Sequence, residues 1–178
     1  MPTYLAFLRA INLGANRKFP KDDIRSAVEA AGFSGVQTHI NTGNVLFSSS
    51  MRSRPKIEAT LEAVFAADRG FDVPTFVFTP AEFSAIADDA LELAEQHPGL
   101  ARHYIYLLKD EPAPELKRRV EATSSEMGDM VVRGRAVHAL LRPGYQDGSV
   151  DPLGAARLLE PATNRNANVV RAIAEKWC

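Results

Sequence analysis

The chain has 178 residues, of which 46% are hydrophobic and 24% charged, as in ordinary globular proteins. Its 21 Lys and Arg nearly balance 22 Asp and Glu, and this net charge of −1 argues against general affinity for nucleic acids or membranes, which favour a basic excess. Cys178 is the single cysteine, so no intramolecular disulfide forms. No stretch resembles a signal peptide or reaches transmembrane length. We therefore expect a soluble, cytoplasmic protein without membrane contact.

The first half of the sequence follows the order β-α-β-β-α-β. Apolar runs between turn residues predict strands at 3–11, 36–40, 45–47 and 73–78. One helix is expected to open at Pro20, and another follows the link 48–54. Asn41-Thr42-Gly43-Asn44 is a strong hairpin signal, because Gly and Asn tolerate positive φ. This order predicts a split β-α-β, ferredoxin-like half over residues 1–79.

The rest of the sequence begins the same order again. Thr79-Pro80-Ala81-Glu82 is a capping box that opens a connecting helix, assigned with its loop to residues 80–102. In the second half, 103–178, strands are expected at 103–108, 130–133 and 136–141, and helices at 112–122, from Asp151-Pro152 and over 164–177. The last helix takes the place of a fourth strand. The predicted fold class is α+β, with two ferredoxin-like (split β-α-β) halves packed as one compact unit.

Polar residues gather where the first strand ends. The first and third strands of a ferredoxin-like sheet are antiparallel neighbours, so the 41–44 hairpin and the start of the first helix should lie at this same edge. Helix N–H groups with cations and amides nearby suit a phosphate or carboxylate group. The candidate ligand-binding residues are Arg9, Asn12, Gly14, Arg17, Lys18, Asn41 and Asn44, with Asn16 and Thr42 in the same cluster. Turn chemistry, solvated loop charges or an ion pair of Arg9 across the sheet would explain the same residues without a ligand.

A second polar cluster, Thr163 to Asn168, lies where the last helix is expected to open. Thr and Asn are good N-caps, and simple capping accounts for several of these residues. Arg165 among first-turn amides, together with Asn166 and Asn168, gives a second potential anion site.

Other chemistry receives little support from the sequence. No GxxxxGK[ST], GxGxxG or GxSxG motif occurs, so no cofactor is expected and no catalytic residue is assigned. The four histidines and Cys178 lack metal-ligand spacing, so no metal site is expected, and His39 and His138 fit structural roles in strands. The RNA-recognition signature is absent, and Tyr104 and Tyr106 suit core packing better than base stacking.

Three stretches, FLRAINLGA, INTGNVLF and TNRNANVV, resemble in order and spacing the motifs of the domain-of-unknown-function 1697 family, whose members read FLRGINVGG, QSGNVVF and TRNWNTV. The resemblance covers essentially the whole chain. It implies two ferredoxin-like halves and no function, because the family has no established activity. The chain departs from the family at Ala10 and Ala15, which replace glycines, at Ala167, which replaces a tryptophan, and around Asp151 to Gly154, where the usual Ser-Lys is missing.

The leading hypothesis for function is binding of an anionic small molecule or a nucleic-acid phosphate at the corner formed by 12–18 and 41–44. One alternative is an enzyme acting on a phosphorylated or carboxylated metabolite, with the 163–168 cluster as a second anchor. Another is a protein-interaction module whose polar motifs only hold the two halves together. The sequence assigns neither the ligand nor the oligomeric state.

Overall fold

The computed structural model describes residues 1–145 and 151–178, which divide into two units. Unit 1 comprises Met1–Phe83 with Trp177–Cys178, and unit 2 comprises Ser84–Lys176. The strands are β1 (Thr3–Leu8), β2 (Ser34–Thr38), β3 (Asn44–Ser48), β4 (Thr75–Phe78), β5 (Arg102–Leu108), β6 (Gly128–Arg133), β7 (Ala136–Leu141) and β8 (Ala162–Asn166). The helices are α1 (Lys21–Ala30), α2 (Arg54–Arg69), α3 (Pro80–Gln96), α4 (Pro114–Glu121) and α5 (Ala167–Trp177), with a short 3-10 helix at Ala156–Leu158.

Unit 1 is built on an antiparallel sheet with the order β2-β3-β1-β4. The central strand β1 is buried on both faces, as its apolar sequence predicts. On one face Tyr4, Ala6 and Leu8 join a core shared with α1 and α2. On the other face Phe7 stacks on Phe83, with ring centroids 4.9 Å apart. This is the strand order of a ferredoxin-like fold.

Unit 2 repeats the arrangement with the order β6-β7-β5-β8. Tyr104 and Tyr106 lie on the sheet face whose core includes Val120 of α4, so the two rings take part in core packing. On α3, Asp89 pairs with Arg133 at 3.4 Å. The predicted α+β class with two ferredoxin-like halves is confirmed.

The end of unit 2 corrects two expectations. Residues 162–166 form β8, an antiparallel partner of β5, so unit 2 has a fourth strand where only the last helix was expected, and α5 begins at Ala167 instead of 164. The expected helix from Asp151 is also wrong, because the Asp151 carboxylate accepts a hydrogen bond from Ala156 N at 3.1 Å and holds a turn before the 3-10 helix. Asn and Thr favour caps over strands in isolation, but the free edge of β5 offers backbone hydrogen bonds that outweigh this preference.

The capping box at the start of α3 forms as predicted. Thr79 N donates to Glu82 Oε2 at 2.7 Å, and Glu82 N donates to Thr79 Oγ1 at 3.1 Å.

Across residues 1–145 and 151–178, no helix combines the length and apolar character needed to cross a membrane.

Gly128 provides a test of the packing between β6 and β7. A Cβ at this position would overlap the carbonyl oxygen of Leu140 and lie 3.1 Å from its carbonyl carbon. We expect Gly128→Ala to lower the free energy of unfolding by about 1–3 kcal/mol, because backbone atoms cannot yield as a flexible side chain does. The measurement is denaturant-induced unfolding.

Gly134→Asn is the control for Gly128→Ala. Gly134 has φ of +58°, and a Cβ at this position would have no atom within 4 Å; Asn tolerates this backbone conformation. The control should stay within about 0.5 kcal/mol of the parent. Equal losses for both variants would contradict the close approach of β6 to β7.

Candidate functional site

Two loops of unit 1 meet at the end of β1, where the sequence places the first polar cluster. β1 stops at Leu8, and the following loop has positive φ at Ala10 (59°) and Asn12 (54°). The β2–β3 loop has positive φ at Ile40 and Gly43, and Gly43 O accepts a hydrogen bond from Leu8 N at 2.9 Å. The expectation that the two loops share one edge of the sheet is confirmed.

Asn12 holds these loops together. Its Nδ2 donates to Phe19 O at 3.0 Å and to Asn41 O at 2.7 Å, while its Oδ1 accepts from Phe19 N at 2.8 Å. Its own backbone N–H donates to Arg17 O at 2.7 Å. The amide of Asn12 is therefore engaged in bracing backbone.

Arg17 and Asn44 have similar bracing contacts. The Arg17 guanidinium donates to the carbonyl oxygens of Ala10 and Asp72, and its Cζ lies 4.4 Å from the centroid of the Phe71 ring. The buried Asn44 side chain donates to His39 O at 3.0 Å and to the Thr42 hydroxyl at 2.8 Å, which closes the hairpin.

The other residues of this cluster are more accessible. Gly14, Lys18 and Asn41 are exposed and Arg9 is half-buried. The neighbouring α1 has Asp22 and Asp23 in its first turn, and these carboxylates already supply negative charge to the helix N-terminus. Asp23 is paired with Arg69 at 3.3 Å, and Asp22 would repel an additional anion at this end of α1.

The second predicted cluster lies at the junction of β8 and α5 in unit 2. Asn166 ends β8 and lies opposite Tyr104 of β5. Asn166 Oδ1 accepts from Asn168 N at 2.9 Å and so caps α5, whose first turn contains no acidic residue.

Arg165 occupies a different place from the one expected. It lies in β8 opposite Ile105, not in the first turn of a helix, and it is only 8% exposed. Its Nη1 donates to Thr163 Oγ1 and to Asn164 O, both at 2.8 Å. Burial lowers the pKa of Arg165 to about 10, which leaves the guanidinium charged at neutral pH.

A cavity of about 510 Å³ opens beside this junction. Its lining residues, all in unit 2, are Ala90, Leu91, Ala94, Leu100, Ala101, Arg102, His103, Asn166, Ala167, Asn168 and Arg171. Among these lining residues Arg102 and Arg171 are cationic and none is acidic. The cavity therefore combines two guanidinium groups and two amides with an apolar wall.

His103 of the cavity is hydrogen-bonded to the fully buried His138 of β7. Nε2 of His103 and Nδ1 of His138 are 2.9 Å apart. Burial, reinforced by the nearby His97, lowers the pKa of His103 to about 4. Burial, reinforced by His103 and Arg133, lowers the pKa of His138 to about 3. Both rings are therefore neutral at physiological pH.

Sequence reasoning named Asn166 and Asn168 but missed Arg102, His103 and Arg171. A histidine and an arginine at the start of a strand form no recognisable sequence motif. The signal would have been the pairing of β5 with β8, and that required recognising residues 162–166 as a strand.

Comparisons with known proteins agree with this fold. The chain matches the family described as "Protein of unknown function (DUF1697)" over residues 1–138, and it belongs to that family. The third motif, TNRNANVV, lies beyond the matched residues. No match was found among curated proteins.

A solved structure shares the architecture. The conserved bacterial protein SP0830 from Streptococcus pneumoniae is 22% identical, with a TM-score of 0.73, over 99% of this chain and 98% of that chain. At this level of identity the likeness concerns the fold alone.

The bracing role of Asn12 can be tested with an isosteric change. Asn12→Asp keeps the acceptor for Phe19 N but turns a carboxylate oxygen toward the carbonyls of Phe19 and Asn41. We expect it to lower the free energy of unfolding by about 1–3 kcal/mol at pH 7. Denaturant unfolding measures the change.

The matched control is Asn16→Asp, which adds the same charge at an exposed position of the same loop. It should change stability by less than about 0.5 kcal/mol. If both variants lose the same amount, the loss reflects charge alone and Asn12 does not brace the loops.

Proposed function

We propose that the protein binds a small oxyanion, a carboxylate or a phosphate ester, in the cavity of unit 2. The observation that carries this proposal is the lining itself, where Arg102 and Arg171 stand beside the Asn166-capped end of α5 without an acidic lining residue. Guanidinium groups bind carboxylate and phosphate in a planar, bidentate manner that suits this task.

The start of α5 adds to the attraction. The first N–H groups of a helix lack intrahelical acceptors, and the helix dipole favours negative charge by about 0.3–1 kcal/mol at exposed sites. Asn166 uses one such group, that of Asn168, and carries no charge of its own. A ligand anion therefore meets no competing carboxylate in the first turn of α5.

The cavity also limits the size and character of the ligand. A volume of about 510 Å³ lies within the range of roughly 300–1,000 Å³ found for small-molecule sites. The alanine and leucine side chains contributed by α3 (Ala90, Leu91 and Ala94) form an apolar part of the lining. A small organic anion with an apolar part fits this lining better than a bare inorganic ion.

The corner of unit 1 supports binding less well. Asn12, Arg17 and Asn44 are engaged by the loops, and Asp22 and Asp23 occupy the dipole end of α1. Binding to nucleic-acid phosphate also has weaker support, because the chain has no basic excess. A cytoplasmic location belongs to the same proposal, and its support is the single free cysteine.

The proposal predicts the effect of removing one cavity charge. Arg171→Gln and Arg102→Gln should each weaken binding of phenyl phosphate, benzoate or sulfate by about tenfold or more, since a charge-assisted hydrogen bond contributes about 1.5–3 kcal/mol. Isothermal titration calorimetry at low and moderate salt measures the affinities.

Arg118→Gln is the matched control, because Arg118 is exposed on α4 of the same unit and does not line the cavity. It should leave affinity unchanged, and so should Lys18→Gln in unit 1. Equal losses of affinity for Arg118→Gln and Arg171→Gln would show that the effect comes from net charge alone. A loss confined to Lys18→Gln would move the site to the corner of unit 1.

A further inference from the structure

The buried partner of His103 has an unsatisfied nitrogen. His138 is fully buried, and its Nε2 has no hydrogen-bond partner within residues 1–145 and 151–178. Its other nitrogen, Nδ1, faces Nε2 of His103 at 2.9 Å. A neutral imidazole has one N–H and one lone pair, so this single contact constrains the protons of both rings.

Two arrangements satisfy the 2.9 Å contact. If His103 donated, the proton of His138 would lie on Nε2, and a buried N–H would have no acceptor. If His138 donates from Nδ1, only a lone pair is left without a partner. Orphaned buried N–H groups are rarer in folded proteins than under-satisfied acceptors, so the second arrangement is favoured.

The second arrangement decides what His103 offers to the cavity. Its Nε2 accepts from His138, so its own proton must lie on Nδ1. His103 lines the cavity, and Nδ1 is the nitrogen left for a ligand.

We propose that His103 is a neutral hydrogen-bond donor to the bound oxyanion, held as the Nδ1–H tautomer by the buried His138. His138 is a positioning residue, because it acts on the ligand through His103. This inference rests on the proposed function of the cavity. It gives a role to His103 and His138, which have none if Arg102 and Arg171 alone bind the anion.

A fixed neutral donor makes the site insensitive to pH. Nε2 of His103 accepts the hydrogen bond from His138, and Nδ1 of His103 already holds a proton. A further proton can therefore bind only if the hydrogen bond between the two rings breaks, or at the buried Nε2 of His138. A solvated histidine would instead become charged near pH 6.5 and tighten anion binding below that pH. The charged and titratable groups near the pair are His97, Arg102, Arg133 and Arg171, with the carboxylates of Asp89 and Glu92 near Arg133 and that of Asp129 near Arg142 and His97. The buried Arg165 of β8 lies on the same sheet face, because it and His138 are both register partners of Ile105.

The test is long-range ¹H–¹⁵N NMR of the histidine rings, with sulfate as a probe whose charge is constant between pH 5 and 8. In the parent protein His103 and His138 should both show the Nδ1–H pattern and neither should titrate in this range. Sulfate affinity should change by less than about twofold between pH 8 and 5, because the cavity charge is constant. Sulfate should shift the His103 resonances.

His138→Phe replaces the buried ring by an apolar ring of similar shape and removes the donor. Nε2 of His103 then has no donor opposite it, so His103 should lose the uniform Nδ1–H pattern and show a mixture of the Nδ1–H and Nε2–H tautomers, while burial still keeps its pKa low. His97→Gln is the control for the other nearby histidine, and its His103 should keep the Nδ1–H pattern of the parent.

The outcomes separate the inference from the proposed function. An Nε2–H pattern for His103, or its titration near pH 6.5 in the parent, would overturn the inference even if His138→Phe failed to fold. The expected tautomers without any response to sulfate would overturn both the proposed function and the donor role, and would leave only the pairing of the two rings.

Discussion

The antiparallel pairing of β5 with β8 is the constraint on which the candidate site depends. The register places Tyr104 opposite Asn166, so the start of β5 lies beside the end of β8 and the start of α5. Arg102 and His103 thereby reach the same cavity as Asn168 and Arg171, although more than 60 residues separate them in sequence. A slip of one residue would turn every side chain of β8 to the opposite face and remove this arrangement.

The two units show how one topology can hold different chemistry at equivalent positions. In unit 1 the fourth strand, β4, leads into α3, whose first turn is closed by the reciprocal bonds of Thr79 and Glu82. The carboxylate of Glu82 already places negative charge at the positive end of the α3 dipole. In unit 2 the fourth strand, β8, leads into α5, which has the neutral cap Asn166. The N-terminus of α5 therefore suits an anion better than that of α3, because its first turn contains no acidic residue.

The sequence allowed much of the fold to be predicted, because local patterns agree with the tertiary structure. The unbroken apolar run of β1, the capping box at Thr79 and the hairpin signal of Asn41 to Asn44 each favour one conformation. β8 was missed because Thr163, Asn164 and Asn166 are cap-forming residues, and only pairing with the open edge of β5 makes this segment a strand. The His103–His138 pair could not be predicted, since two isolated histidines on different strands meet only through the register of β5 with β7.

The corner of unit 1 has the residue composition of a ligand site, although its side chains serve the loops. Asparagines and arginines satisfy loop carbonyls as readily as they bind ligands, and a sequence does not distinguish the two uses. Asn12 and Arg17 are committed to the backbone around them. In unit 2, Arg102 and Arg171 line an open cavity, although one nitrogen of Arg102, Nη1, also donates to Ala101 O at 2.9 Å.

A crystal of the protein soaked in selenate provides the most direct measurement of the central claim. The anomalous signal of selenium distinguishes bound selenate from an ordered water molecule. The account predicts a peak in the cavity of unit 2, within hydrogen-bonding distance of Arg102 or Arg171 and of His103 Nδ1. A cavity without a peak, in a crystal whose selenate binds at Lys18 or elsewhere on the surface, would contradict it.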